Sequence, residues 1–135
     1  MAQRVLVPAN METPVLEVMR AVVRELGSNV ELVVGFVEIP ELAGARRIPV
    51  VVHLIDAVGQ GRTNDIYCRL ARVRHDNVLS GVIELVKRER IDTVALHTPS
   101  SQPELESGKV LKELIQQSLP CAVRVFNLQE AHSQA

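Results

Sequence analysis

The side chains best suited to chemistry in this 135-residue chain cluster in one stretch, "LHTPSSQPELESGKV" (Leu96–Val110). It follows an apolar run and precedes a helical pattern, the place where many α/β proteins hold a phosphate on free backbone N–H groups. His97, Thr98, Ser100, Ser101 and Lys109 bring hydrogen-bonding groups to it, and Gly108 is its single glycine. Ser100 with His97 is also the one nearby nucleophile and base, the minimum for covalent catalysis. Each residue has a plainer reading beside the functional one. A strand-end histidine can bond a loop carbonyl, Ser100 and Ser101 can cap a helix opening at Pro103, and Lys109 can pair with Glu106 or Glu113 on its own helix. No Asp or Glu is evident behind His97, and the GxSxG elbow is absent. The expectation is therefore no catalytic residue, with a small ATP hydrolase built on Ser100 and His97 as the least supported alternative.

Other candidates lie outside that stretch. Asn10 follows the first apolar run and could bond the ring edge of a ligand, or turn the chain ahead of Thr13 through its own side chain. Met11 reads as lining for the same place. His75 and Asp76 adjoin at the exit of a third strand, where they could form an acid/base pair on the pocket rim, although Asp76 as a helix cap accounts for itself. His53 sits in an apolar segment and His132 in the polar tail, so neither has partners for a metal site. Cys68 and Cys121 are far apart without CxxC spacing and read as two buried thiols.

Composition bounds what these residues can be asked to do. The length suits one domain with one core. The chain is 47% hydrophobic but has one Tyr, two Phe and no Trp, so Val, Leu, Ile and Ala must fill the core. Fifteen Lys and Arg against 16 Asp and Glu give a net charge of −1, which excludes nucleic acid as the main partner, since phosphate backbones demand a basic face. The opening "MAQRVLVPAN" has no signal-peptide pattern, and no run approaches the roughly 20 apolar residues that span a bilayer. The expected location is the cytoplasm, free or as the soluble piece of a longer membrane protein.

The elements that must position the site follow from periodicity. "RVLVP" (Arg4–Pro8) reads as a buried strand. Thr13 as cap and Pro14 as first helical residue begin a helix that Gly27 stops. "NVELVVGFVEIP" is the second strand. Residues 41–62 are the hardest segment, because Val50, Val51 and Val52 prefer strands; a parallel sheet needs a crossover there, so a helix from Pro49 to Gly59 is expected. "DIYCRLARVR" (Asp65–Arg74) is the third strand, an edge strand with arginines on both faces. Asp76 or Asn77 caps a helix, "IDTVALH" (Ile91–His97) is the fourth strand, a helix begins near Pro103, and "CAVRVF" (Cys121–Phe126) is the fifth strand. The alternation specifies an α/β fold with an open parallel sheet and helices on both faces. It spans residues 1–126 as a single domain, with 127–135 a polar C-terminal tail. Ligands of such folds lie outside the carboxyl ends of strands where strand order reverses. With strands one and four as neighbours, "PAN" (Pro8–Asn10) and "HTPSS" (His97–Ser101) form the two lips.

With its elements in place, the chain resembles the universal stress protein family over nearly its whole length. "RVLVPAN", "VELVVGFVEIP", "HDNVLSGVIELVKRERIDTVALH" and above all "VLKELIQQSLPCAVRVF" carry the likeness. "VPAN" and "RHD" are most similar to the domains attached to amino-acid permeases and cation/proton antiporters, which implies a membrane-transporter domain as a possible partner. The resemblance implies a Rossmann-like sheet ordered 3-2-1-4-5 and a homodimer paired through the fifth strands, here Ala122, Val123, Arg124, Val125 and Phe126. Family members that bind ATP use a Gly-x2-Gly-x9-Gly-Ser/Thr loop after strand four and an aspartate after strand one. Here His97 and Ser100 stand at the first two glycine positions, Gly108 comes about two residues early for the third, and Asn10 replaces the aspartate. Side chains at those positions obstruct the approach of phosphate to backbone, and Glu104 and Glu106 oppose a polyphosphate. The expectation is a regulatory module with no cofactor, not binding ATP through the usual loop. The alternative is a sensor taking ATP, AMP or a cyclic dinucleotide on a degenerate crevice of Asn10, His97, Ser100, Ser101, Gly108 and Lys109.

Overall fold

Residues 2–10, 13–40, 47–98 and 121–128 are described by a computed structural model. In chain order the elements are β1 (Gln3–Pro8), α1 (Val15–Leu26), β2 (Val30–Glu38), α2 (Arg47–Thr63), β3 (Cys68–Arg74), α3 (Val78–Arg88), β4 (Thr93–Thr98) and β5 (Ala122–Asn127). The helix expected from Pro103 lies outside the described residues. All strands pair in parallel, in the order β3-β2-β1-β4-β5, as expected.

The unbroken apolar runs of β1 and β2 suit strands covered on both faces. Val5, Leu6 and Val7 are 0%, 0% and 1% exposed, so β1 is central. Alternation sends Val5 and Val7 into one core with Val15, Val18, Met19 and Val22 of α1 and Leu54, Ala57 and Val58 of α2. Leu6 points the other way, to Val82, Leu85 and Val86 of α3. Two layers of helix thus enclose the sheet.

Local chemistry explains most boundaries. Gly27 takes φ 87°, a left-handed value that favours glycine, and its N–H closes α1 on the Val23 carbonyl. Thr13 does not cap α1: Pro14 occupies the cap position with no side-chain hydrogen bond, and the Thr13 hydroxyl turns back to Asn10. Between the two candidates for the α3 cap, Asn77 is the one whose side chain accepts from Ser80 N, at 2.8 Å.

The crossover segment is helical despite its valines, because joining parallel β2 to β3 outweighs local propensity. α2 is longer than expected, and β3 starts at Cys68 instead of Asp65. The N–H groups of Asn64, Asp65 and Ile66 all bond back to carbonyls of α2, and Asp65 has φ 62°, so these residues end the helix. β5 begins one residue later than expected and runs through Asn127, with Leu128 buried in the core at 7% exposure. Cys68 is buried and Cys121 half-buried, both as free thiols.

An ionic network ties the amino ends of the strands together. Arg69 places Nε 2.8 Å from Glu31 Oε1 and Nη2 2.6 Å from Glu89 Oε1. Arg4 adds Nε at 3.3 Å from Glu31 Oε2 and donates from Nη1 to the Glu89 carbonyl. The Arg69 hydrogen bond holds the Glu31 carboxyl below its usual range against the opposing pull of burial, with help from the charges of Arg4 and Arg69. Burial pushes Glu89 up, but hydrogen bonds from Arg69 and Arg88 outweigh it and leave that carboxyl lowered too.

Candidate functional site

The crevice opens because β1 and β4 part company. They pair only at Val5↔Thr93 and Leu6↔Val94. Beyond that, β1 stays with β2 through Pro8↔Gly35, and Ala9 N adds a bond to the Gly35 carbonyl at 2.9 Å. β4 stays with β5 through His97↔Phe126 and Thr98↔Asn127. Pro8 has no N–H to give β4 in any case. The gap lies at the reversal of strand order, outside the carboxyl ends of the strands, where open α/β sheets bind ligands.

His97 lies near the end of β4 and Asn10 two residues past β1, on opposite sides of this gap. His97 is the penultimate residue of β4 and half-buried, in register with the fully buried Phe126. Burial lowers its pKa, so at neutral pH the ring is uncharged, with one N–H donor and one acceptor nitrogen. Such a ring can bond a base edge or a ribose hydroxyl; it cannot neutralise a phosphate. Among the described residues no carboxylate hydrogen-bonds to His97, so none of them orients it as a general base.

Asn10 shapes the turn into α1. Its N–H donates to Thr13 Oγ1 at 3.0 Å, its Oδ1 accepts from the same hydroxyl at 3.2 Å, and its carbonyl accepts from Thr13 N at 3.3 Å. Of its two sequence readings, the turn is the one with atoms attached. The residue remains exposed at the lip. Ser100, Ser101, Gly108 and Lys109 lie outside the described residues, as do Met11 and His132.

Two other candidates fall elsewhere. His75 directly follows β3, which β2 separates from β1; at ~4.8 Å per strand that sets it roughly 10 Å to one side of the crevice, not on its rim. Its Nε2 lies 3.6 Å from Glu84 Oε1 on α3, while Asp76 is exposed, so the neighbour in sequence is not the neighbour in space. His53 is half-buried on α2, and its Nε2 has no hydrogen-bond partner among the described residues. Among those residues no three His, Cys, Asp or Glu side chains gather as a metal site would need, and no helix is long and apolar enough to cross a membrane.

A shallow groove between α1 and α2, lined by Leu16, Arg20, Asp56, Gly59, Gln60, Thr63 and Asn64, was not anticipated. Its polar groups largely serve one another: Gln60 donates to Asp56, Arg20 to Asn64, and Thr63 and Asn64 to helix carbonyls. It lies on the helical face, away from the crevice.

No protein-family model matches the chain, and no curated protein matches it in sequence. Solved structures do. A universal stress protein in complex with cAMP is 14% identical, covering 91% of this chain and 95% of its own, with a TM-score of 0.66. A universal stress protein family protein from Arabidopsis thaliana with AMP bound is also 14% identical, covering 93% and 91%, TM-score 0.66. The universal stress protein from Archaeoglobus fulgidus in complex with dAMP is 13% identical, covering 92% and 97%, TM-score 0.67. Likeness this deep in shape and this slight in sequence is a statement about architecture. The chain has the universal stress protein fold.

Proposed function

We propose that this protein is a universal-stress-protein-type regulatory module that does not hold ATP by the usual glycine loop and catalyses no reaction. The observation that carries this reading is His97, an uncharged, half-buried imidazole at the first glycine position of that loop. It narrows the lip where a triphosphate would need bare backbone. We assign the module to the cytoplasm and to a homodimer paired through Ala122–Phe126, which the position of β5 at the end of the sheet supports. The "VPAN" and "RHD" motifs support a transporter domain as the partner it regulates.

A second reading is favoured by the ligands of the structural neighbours. Three of those proteins are in complex with cAMP, AMP or dAMP, and a neutral His97 opposite Asn10 suits a base and ribose better than a polyphosphate. In this reading the module senses a nucleotide through the crevice. Calorimetric titration of ligand-free protein with ATP, AMP, cAMP and cyclic dinucleotides separates the two. Silence across the panel supports a module acting by protein contacts alone. Saturable micromolar binding, about −8 kcal/mol, weakened by His97→Ala, establishes the sensor and removes the first reading. Binding that prefers ATP would establish the sensor and overturn the reading of the loop as unfit for a triphosphate.

A further inference from the structure

A five-stranded open sheet has two edges, and here they are treated differently. Leu32 N donates to the Tyr67 carbonyl at 2.9 Å, and His75 N donates to the Glu38 carbonyl at 3.0 Å. Main-chain groups of Tyr67 and His75 therefore point toward β2. Strand alternation turns those of Cys68, Leu70, Arg72 and Arg74 outward, along the free edge.

Two of these outward carbonyls are occupied by arginines from different helices. Arg62, in the last turn of α2, donates Nε to the Cys68 carbonyl at 3.0 Å. Arg88, in the last turn of α3, donates Nη2 to the Arg72 carbonyl at 2.7 Å. Arg88 is braced for this, with Nε 3.0 Å from Glu89 Oε2 and Nη1 4.0 Å from Glu84 Oε2. The caps sit four residues apart on the strand, so an incoming strand would meet a guanidinium at every second outward residue. Arg72 and Arg74 are exposed on the same strand and would repel a second copy of this edge. At β5, by contrast, no side chain among the described residues hydrogen-bonds a main-chain group of the strand, and Arg124 pairs at the surface with Glu25 at 3.2 Å.

We propose that Arg62 and Arg88 seal the β3 edge of the sheet against strand addition. An unpaired edge is a template for association, and charged side chains are a known way to blunt one. These caps reach the strand's own acceptors, which removes the hydrogen bonds an added strand would use. The inference is independent of the nucleotide reading and survives if the protein proves monomeric.

The test is the mass of the full chain by light scattering over a concentration series, with thioflavin T fluorescence alongside. Arg62→Ser with Arg88→Ser should raise the mass to roughly twice or more that of the wild type at equal concentration and increase thioflavin signal. Adding Arg72→Pro should return both to wild-type values, because the Arg72 N–H faces outward and proline there removes no ladder bond. An unchanged mass in the double variant overturns the proposal. So does association that persists with Arg72→Pro, since it would come from another surface or from misfolding.

Discussion

Arg69 Nη2 lies 2.6 Å from Glu89 Oε1, tying an edge strand to the end of the helix that covers it. The same guanidinium reaches Glu31 on β2. Both carboxylates are largely buried, with side-chain exposures of 13% and 15%, whereas Arg69 is 35% exposed. Arg69→Met should therefore cost about 1–2 kcal/mol, less than for a fully buried pair because solvent screens the arginine and Arg4 and Arg88 remain. Urea denaturation should show a lower midpoint with an unchanged slope. No shift in the midpoint would mean the network adds nothing net.

Acid should weaken the protein in two separable steps. His97 has a lowered folded pKa, so the unfolded chain binds its proton first as pH falls. Its contribution is complete above the unfolded value of about 6.5 and declines from there down to the folded value, then levels off. Glu31 and Glu89 are also lowered; their contribution is present above about pH 4.3 and is lost as pH falls through their folded values. Urea midpoints measured from pH 3 to 8 should show both declines, and His97→Gln should flatten only the upper one. Superimposable profiles for wild type and His97→Gln would sink the assignment.

Gly81 of α3 packs tightly against Val37 of β2. A Cβ there would collide with both γ-methyls of Val37 and meet its Cβ at 3.0 Å. Gly81→Ala should destabilise by about 1–3 kcal/mol although alanine favours helix, because overpacking exceeds the propensity gain. Combining it with Val37→Ala should recover part of the loss, which thermal unfolding can read.

Thr13 is 7% exposed, and its hydroxyl serves both the N–H and the side-chain oxygen of Asn10. Thr13→Val keeps the shape and removes those bonds. A loss of about 1 kcal/mol is expected, and the crevice lip formed by Asn10 should loosen, seen as faster amide exchange at Ala9 and Asn10. Unchanged exchange would show that the lip is held by other contacts.

Much of this protein is legible along the chain because the signals are local. Unbroken apolar runs mark β1 and β2 as covered on both faces, the 3.6-residue spacing of α1 and α3 marks their inward stripes, and Gly27 and Asn77 act on atoms within a turn. Alternation of strand and helix then leaves few topologies, and the parallel sheet order follows with the family likeness. The segment around Val50–Val52 is less legible, since its propensity favours a strand while the crossover requires a helix.

What the tertiary structure alone decided are relations between residues distant in sequence. That β1 and β4 separate after Leu6 and Val94, opening the crevice, depends on register shared by four strands. That His75 meets Glu84 instead of Asp76, and that Arg4 joins Glu89 across 85 positions, depends on how helices dock. The outward carbonyls capped by Arg62 and Arg88 could not be seen from spacing, because main-chain direction at an edge is set by its partner strand. Local chemistry chooses each element, but register and docking are cooperative properties of the whole sheet, and they determine which side chains meet.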